Sequence, residues 1–479
     1  RIAISPRAAT AILNRVAKLR ILDPACGSGS FLIGAYQFLL DWHLQFYLAN
    51  DPAKWAKETR GKHPVIVQAR KGGFQLSIAE RKRILLANIF GVDIDSQAVE
   101  VTKLSLLLKV LEGESGQAQI YFALKDRVLP DLGDNIKCGN SLIGPDFYQQ
   151  AELPLLTDEE RYRINVFDWQ AEFPEIFRSS RREEAQTDSV GKDGDSSRRL
   201  LHDEGGFDAV IGNPPYLAGR EWTEELWKQR PYFTRHYSCM TDQYDLYALF
   251  IQKAVELLHE SGRFSFITPT TWLNNEHYIS LRQWITQKTE VVLLGDYRDV
   301  KVFPTATVLP VVIVASRSNR PSKKSPCLIE HFSEPKKSCF FESSIAIWEQ
   351  FPGSIFNLSI SKQDLPVLKQ IEQSNKPCEE FADVRFGVKV YQRGKGRPKQ
   401  SGKEAEERCF EAEKKKVQDY HPYLWGEHVT SWHIQSDSAW LKYGPHLAEP
   451  RAFELFTGPR ILLRRIVGER LILCPTSET

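Results

Sequence analysis
Long apolar runs are missing from this 479-residue chain; the longest, Leu246–Ile251, has six residues. A bilayer-spanning helix needs about 20, so none is expected. The first residues show no basic start leading into an apolar stretch and a small-residue cleavage site, so no secretory signal is expected there. The eight cysteines (Cys26, Cys138, Cys239, Cys327, Cys339, Cys378, Cys409, Cys474) are scattered, with no CxxC pair. That pattern argues against a zinc site and a disulfide framework, and a reduced, cytoplasmic setting is expected. Neither HExxH nor GxGxxG occurs, so the metalloprotease and dinucleotide fingerprints are both absent. Charge of one sign is lacking too: 63 Lys and Arg face 61 Asp and Glu, for a net +2. A nucleic-acid partner would have to be argued from a local cluster. Methionine is scarcest. Met240 stands alone and the chain opens on Arg1, so a piece of a longer polypeptide is expected.

What is present is an ordinary soluble composition, 42% apolar and 26% charged, in alternating patterns. A helix is expected over residues 7–17, with Ala8, Ile12, Leu13 and Val16 apolar. A strand at 19–22 ends at Asp23, and a helix over 31–46 follows a Gly/Ser turn. Strands are expected at 89–94, 136–138, 207–211, 264–267, 291–294 and 308–314. Further helices are expected at 96–111 and at 244–260, the latter closed by Ser261-Gly262. Strands alternating with helices predict an α/β fold, a parallel sheet with helices on both faces. Its functional residues belong at the carboxyl ends of the strands. Residues 178–206, rich in Ser, Asp, Glu and Arg, read as a solvated, disordered insertion. The stretch Ser316–Ser325 reads as a hairpin or an excursion. From about Leu365 the pattern turns aromatic, glycine-rich and basic, which sets an expected boundary between residues 1–364 and 365–479.

Three motifs carry chemistry. The first is Asp23-Pro24-Ala25-Cys26-Gly27-Ser28-Gly29-Ser30-Phe31, between a strand and a helix. Its glycines let backbone turn tightly against a ligand, and the strand-end acid can accept from an amine or hydroxyl. The second is Gly91-Val92-Asp93-Ile94-Asp95, where a strand-end acid can take both ribose hydroxyls. Asp95 reads instead as the cap of the next helix. The third is Gly212-Asn213-Pro214-Pro215-Tyr216, closing a buried strand. Two prolines fix φ and remove N–H donors, which leaves carbonyls rigidly aimed. The Asn213 side-chain oxygen and the Pro214 carbonyl can both accept from one exocyclic amino group. That draws its lone pair out of conjugation and towards an electrophile. Tyr216 offers a face for a planar base. Each motif alone is compatible with an ordinary turn; their order is what points to a site.

Together with Cys138-Gly139-Asn140-Ser141-Leu142, these motifs resemble the adenine-specific N6 DNA methyltransferases. The order, cofactor loop first and recognition region last, resembles the gamma class. The stretch from Phe167-Asp168-Trp169 through Phe177 is similar to the fused restriction–modification, type IIG, branch. The resemblance implies a Rossmann-like methyltransferase sheet followed by a smaller, mixed α/β target-recognition domain, here partial. It implies S-adenosylmethionine as cofactor, double-stranded DNA as partner, and a base flipped into the site. Asp23, Ala25 and Gly27 would hold the methionine moiety, and Gly29 would also bind the cofactor. Asp93 would hold the ribose and Ile94 would lie beside the adenine ring of the cofactor. Asn140 would read its amino group, and Pro215 would line the cofactor pocket. Asn213, Pro214, Pro215 and Tyr216 would form the catalytic set. Ser5-Pro6 resembles a pocket-closing element, although its flanks depart from the family's pattern. Phe303, before Pro304, would stack on the other face of the flipped base, or else is a core phenylalanine.

Arg385–Lys403 holds seven basic residues and no acidic one. Within it Arg393, Lys395, Arg397 and Lys399 are candidates for phosphate contacts; a solvated basic loop is the bland alternative. Residues 421–426 and 458–465 are similar to elements of the family's recognition domain. Residues 403–416 read as an exposed, mixed-charge helix. No metal site is expected. A metal-dependent nuclease signature is absent from the chain: Pro130-Asp131 is followed by Asp134 and Lys137 at the wrong spacing. An upstream nuclease domain would precede Arg1. Competing readings are a protein-glutamine or RNA methyltransferase using the same Asn-Pro-Pro-Tyr motif, a non-enzymatic DNA-binding module, and a Rossmann dehydrogenase.

Overall fold
The computed structural model describes residues 6–60, 63–69, 72–112, 130–149, 157–177, 205–240, 245–303, 308–334, 337–434, 439–464 and 472–476. Ser5, Pro304, Arg465 and all of the expected insertion except Gly205 and Gly206 lie outside them. The chain divides into two compact units, Arg1–Gln370 and Ile371–Thr479.

The first unit is built on a nine-stranded sheet. In chain order its strands are β1 (Ile21–Asp23), β2 (Ile89–Asp93), β3 (Ile136–Cys138), β4 (Phe207–Gly212), β5 (Leu258–Pro269), β6 (Thr289–Asp296), β7 (Pro310–Arg317), β8 (Cys327–Glu334) and β9 (Lys337–Ser343). Across the sheet they run β9-β8-β6-β7-β5-β4-β1-β2-β3. The five strands β3, β2, β1, β4 and β5 are mutually parallel. β7 runs antiparallel to its neighbours β5 and β6. The order reverses beside β1, where the chain steps outward to β2 and β3 and then returns to β4. At such a switch point the crossovers leave on opposite faces, and a crevice opens at the strands' carboxyl ends.

Side chains alternate across a strand, and two cores result. Leu22, Val92 and Val210 pack into one, Ile89 and Ile136 into the other. The first is covered by helices such as Leu246–Leu257, nearly every residue of which is buried. The second is covered by α1 (Pro6–Val16), α2 (Ser30–Ala49), α3 (Ile78–Asn88) and α4 (Ser96–Val110). In α2 the buried Leu32, Tyr36, Leu39, Leu40, His43 and Tyr47 recur at helical spacing. Helices therefore lie on both faces, as the alternation predicts.

Several expectations are corrected. The helix expected over 244–260 ends at Leu257, and β5 begins at once, running through Ser261-Gly262. The pairing jumps from Phe207↔Leu258 to Ala209↔Arg263, so the Ser-Gly pair makes a bulge, with Ser261 at φ +67, and does not cap a helix. β8 and β9 extend the sheet where the sequence pattern predicts no strand. Their faces are only half covered, and charges at Glu330, Glu334 and Lys337 blur the alternation. The helix expected over 403–416 shrinks to Gly402–Glu406, because Glu411–Ala412 is drawn into pairing with Ala439–Lys442. In the second unit Ala439–Lys442 also pairs with Tyr420–Tyr423, and two hairpins are described, Val429–Thr430 with His433–Ile434 and Arg460–Leu463 with Leu473–Thr476. Val390, Leu441 and Leu447 form its core.

Candidate active site
Four strand ends line up at the switch point, and each carries a residue singled out by the sequence. Asp23 closes β1, Asp93 closes β2, Asn140 follows β3, and Asn213 follows β4. They come from positions spread over nearly 200 residues of chain, and parallel pairing alone sets them side by side.

The glycine loop after β1 is held from several directions. The Cys26 N–H donates to the Val92 carbonyl at 3.1 Å, and the Gly29 N–H to the Cys26 carbonyl at 2.8 Å. Gly27 and Gly29 have φ of +52° and +81°. At Gly29 a Cβ would also lie 2.8 Å from Thr102 Cγ2. Thr102, on α4, donates from Oγ1 to the Gly27 carbonyl at 2.7 Å. A Cβ on Gly27 would meet no atom within 4 Å. The loop is thus packed tightly behind and open in front.

Asp23 is buried, and its Oδ1 accepts from the Ala25 N–H at 3.0 Å. Burial pushes its carboxyl up to about 7, against the Ala25 hydrogen bond and with the nearby Asp93 charge adding to the rise. Among the described residues no cation pairs with it. Gly212 is required beside it, since a Cβ there would lie 2.7 Å from Asp23 Oδ1. Asp93 does more than the sequence suggests. Its Oδ2 accepts from the Gly27 N–H at 2.7 Å and its Oδ1 from the Asp95 N–H at 3.0 Å. It therefore fixes the loop as well as facing the crevice, and each oxygen retains a further lone pair. Asp95 caps α4 by accepting from the Gln97 N–H. Ile94 is half exposed beside it. Asn140 is buried, with Oδ1 accepting from the Leu142 N–H at 3.1 Å, which leaves its amide hydrogens available.

Sequence reasoning missed Thr102, and quoted Gly212 and Ser141 in motifs without assigning either a role. The Ser141 hydroxyl donates to the Pro24 carbonyl at 2.6 Å and ties the loop after β3 to the loop after β1. Gly91, inside β2, has a packing reason that its motif does not reveal: a Cβ there would strike Leu32 Cδ1 at 2.7 Å. Glycine inside a strand is the one signal that could have found such a close approach.

After β4, Asn213 and Pro215 are exposed and Pro214 is buried. Tyr216 is half buried, and its hydroxyl donates to the Ile267 carbonyl of β5 at 2.9 Å. Burial raises its phenol well above the usual range. The ring lies edge-to-face with Tyr247 at 6.1 Å and with Phe303 at 6.4 Å, an interplanar angle of 80° for the latter. The two aromatics named from the sequence are brought together, but their faces are not parallel. The segment leading to Phe303 starts at Asp296, the end of β6, which is buried and paired with Arg298 at 2.6 Å and His331 at 2.8 Å. Burial opposes ionisation of Asp296, but the Arg298 hydrogen bonds and charge prevail and hold its carboxyl below the ordinary range.

In the second unit, Arg393, Lys395, Arg397 and Lys399 are all exposed. The loop that carries them is built around buried Gln400. Its Nε2 donates to the Val390 and His446 carbonyls, and its Oε1 accepts from the Gln392 N–H. Gly396 has φ +85, and a Cβ there would lie 2.3 Å from the His446 carbonyl oxygen. Among the described residues no carboxylate pairs with any of the four cations. No cluster of three or more potential metal ligands occurs among them, and no described helix is long and apolar enough to cross a membrane.

A family model described as Eco57I restriction-modification methylase matches residues 87–303. The type II restriction enzyme and methyltransferase RM.Eco57I of Escherichia coli is 26% identical over 300 residues, covering 63% of this chain and 25% of that protein. The type II methyltransferase M.TthHB8I of Thermus thermophilus is 35% identical over 113 residues, covering 22% of this chain and 25% of that protein. The chain therefore spans a quarter of the length of each. The type IIL restriction-modification enzyme MmeI, solved in complex with DNA, matches at 14% identity and a TM-score of 0.48, covering 91% of this chain and 46% of that one. Residues 87–303, which hold the second acid motif, the loop after β3 and Asn213-Pro-Pro-Tyr, are thus similar to the Eco57I restriction-modification methylases.

Proposed function
We propose that this chain transfers a methyl group from S-adenosylmethionine to the N6 amino group of adenine in a specific DNA sequence, within a restriction–modification system. One observation carries the reading: Asp23, Asp93, Asn140 and Asn213-Pro214-Pro215-Tyr216 stand at the ends of four adjacent strands, three on one side and one on the other of the point where the sheet order reverses. The donor set fits the cofactor. Buried Asp23, which no cation pairs with among the described residues, suits an ammonium group; Asp93 has lone pairs left for ribose hydroxyls; Gly27 opens onto empty space. Ala25, Gly29, Ile94 and Pro215 complete that side in this reading. The cofactor, when bound, supplies an electrophilic methyl group.

The chain's own residues prepare the nucleophile. A duplex adenine must swing out to reach the crevice, at a cost of a few kcal/mol. Stacking on Tyr216 offsets part of that, at about 1–3 kcal/mol per base. Phe303 stands edge-on to Tyr216, so it must turn for the base to be held between two faces. The Asn213 side-chain oxygen and the Pro214 carbonyl accept the two amino hydrogens and favour a pyramidal nitrogen. No titrating base is needed before transfer, because the nitrogen becomes acidic only once it carries the methyl group. The protein-glutamine and RNA readings are not favoured, since the relatives are named as restriction–modification methylases and type II methyltransferases. A nuclease elsewhere on a longer polypeptide remains part of the type IIG proposal.

The test is single-turnover methylation of DNA, RNA and protein with labelled cofactor, with 2-aminopurine at the target adenine. Asn213→Ala is expected to keep cofactor and DNA binding and lose roughly 10²–10³-fold in rate, as for one missing oriented polar group. Wild-type rates in that variant would reduce Asn-Pro-Pro-Tyr to a turn.

A further inference from the structure
Trp432 is 80% exposed, although its backbone is hydrogen-bonded into the second unit. It is the second residue of the two-residue turn Ser431-Trp432 between Val429–Thr430 and His433–Ile434. Its φ is +67. Turns with positive φ at that position call for Gly or Asn, because a Cβ there crowds the neighbouring carbonyl oxygen. A bulky ring in this conformation is an outlier, and outliers of this kind collect at functional sites. The turn is held from behind by its own backbone: the Trp432 N–H donates to the Leu473 carbonyl of the adjacent hairpin at 3.0 Å. The indole gains nothing from the fold in return. Among the described residues no ring stacks on it and no acceptor meets its N–H. The fold therefore holds a strained, apolar ring out in water.

Charge on the same unit indicates what the ring meets. The loop around Gln400 presents Arg393, Lys395, Arg397 and Lys399 without carboxylate partners among the described residues. Nearer the turn, the Arg464 N–H donates to the Ile472 carbonyl, next to Leu473, and no carboxylate pairs with its guanidinium among the described residues. A single projecting ring flanked by Ser431 and His433, on a unit bearing cations that no described carboxylate pairs, matches a polyanion that offers π-faces.

We infer that Trp432 is a base-stacking contact with DNA, inserted against a base step in a sequence-tolerant way. This rests on the reading that the chain acts on DNA. Aromatic–base stacking tolerates sequence because every base has a π-face, and apolar wedges at base steps are an established mode of DNA contact.

The test uses the full 479-residue chain and a short random-sequence duplex, at low and moderate salt. Trp432→Gly relieves the turn, so its thermal midpoint should stay equal or rise. Its DNA affinity should fall roughly tenfold, with the slope of log K against log salt unchanged, since no charge is removed. Trp432→Phe should recover most of the affinity. Unchanged affinity in Trp432→Gly overturns the inference. So does a lowered thermal midpoint accompanying the weaker binding, which would make the ring structural. A changed sedimentation coefficient of the free protein would place the ring against another protein surface, and also overturns it. A wild-type chain that binds no duplex removes the DNA reading itself, and this inference with it.

Discussion

A carboxyl group buried with no cation paired to it among the described residues is the most telling single residue in the molecule. Asp23 sits at about 7, above its ordinary value of 3.8, chiefly through burial. A carboxyl with a raised folded value holds its proton more tightly when folded. Its contribution to stability is therefore full below about 4 and is lost as pH rises to about 7. Asp23→Asn should flatten that part of the stability-against-pH curve and make the ligand-free protein more stable at pH 8, by up to about 4 kcal/mol. Chemical denaturation at several pH values measures it. A parallel curve for the variant would mean that Asp23 is not strained by burial. The same variant should lose cofactor affinity, since an amide cannot pair with an ammonium group as a carboxylate does.

The glycine loop between β1 and α2 separates two uses of one residue type. Gly27 and Gly29 both have positive φ, but only Gly29 is pressed against Thr102. Thr102 cannot yield without giving up its bond to the Gly27 carbonyl. Gly29→Ala should therefore destabilise the ligand-free protein by about 1–3 kcal/mol. Gly27→Ala meets open space and should cost only the conformational strain, about 1–2 kcal/mol. Its methyl group would instead occupy room that the proposed cofactor needs. Differential scanning calorimetry and cofactor titration on both variants separate the cases. Equal cofactor affinity in Gly27→Ala and wild type would show that the open side of the loop is not the cofactor's side.

Over the whole chain, net charge of +2 hides an uneven distribution. The four cations of the Gln400 loop have no carboxylate partner among the described residues and stand on a frame fixed by a buried glutamine. Neutralising Arg393, Lys395, Arg397 and Lys399 should reduce the steepness of log K against log salt by about 0.9 for each phosphate that is no longer neutralised, up to roughly 3–4. Filter binding across a salt series gives the slope. An unaltered slope would mean a merely solvated loop. The near-neutral total keeps the rest of the surface from adding a general attraction, so the slope should report this loop clearly.

Much of this is legible in the chain itself. Strand ends at Asp23, Asp93, Cys138 and Gly212 follow from short apolar runs that stop at polar or glycine residues, and the helices of the first unit follow from apolar spacing. Both are local signals, and backbone periodicity reads them directly. Asp23, Asp93 and Asn213 could be named because each sits at the end of such a run, whereas Asn140 is named only through the resemblance of Cys138-Gly139-Asn140-Ser141-Leu142 to the adenine-specific methyltransferases. Tertiary structure decided what depends on approach between distant segments. It set Ser141 against Pro24, Thr102 against the glycine loop and Gly212 against Asp23. It drew Ser261-Gly262 into a bulge and Glu411–Ala412 into a strand. It also turned Phe303 edge-on to Tyr216 and left Trp432 standing in a strained turn. Arrangements of this kind are chosen by packing and by pairing across long stretches of chain, and no local pattern encodes them.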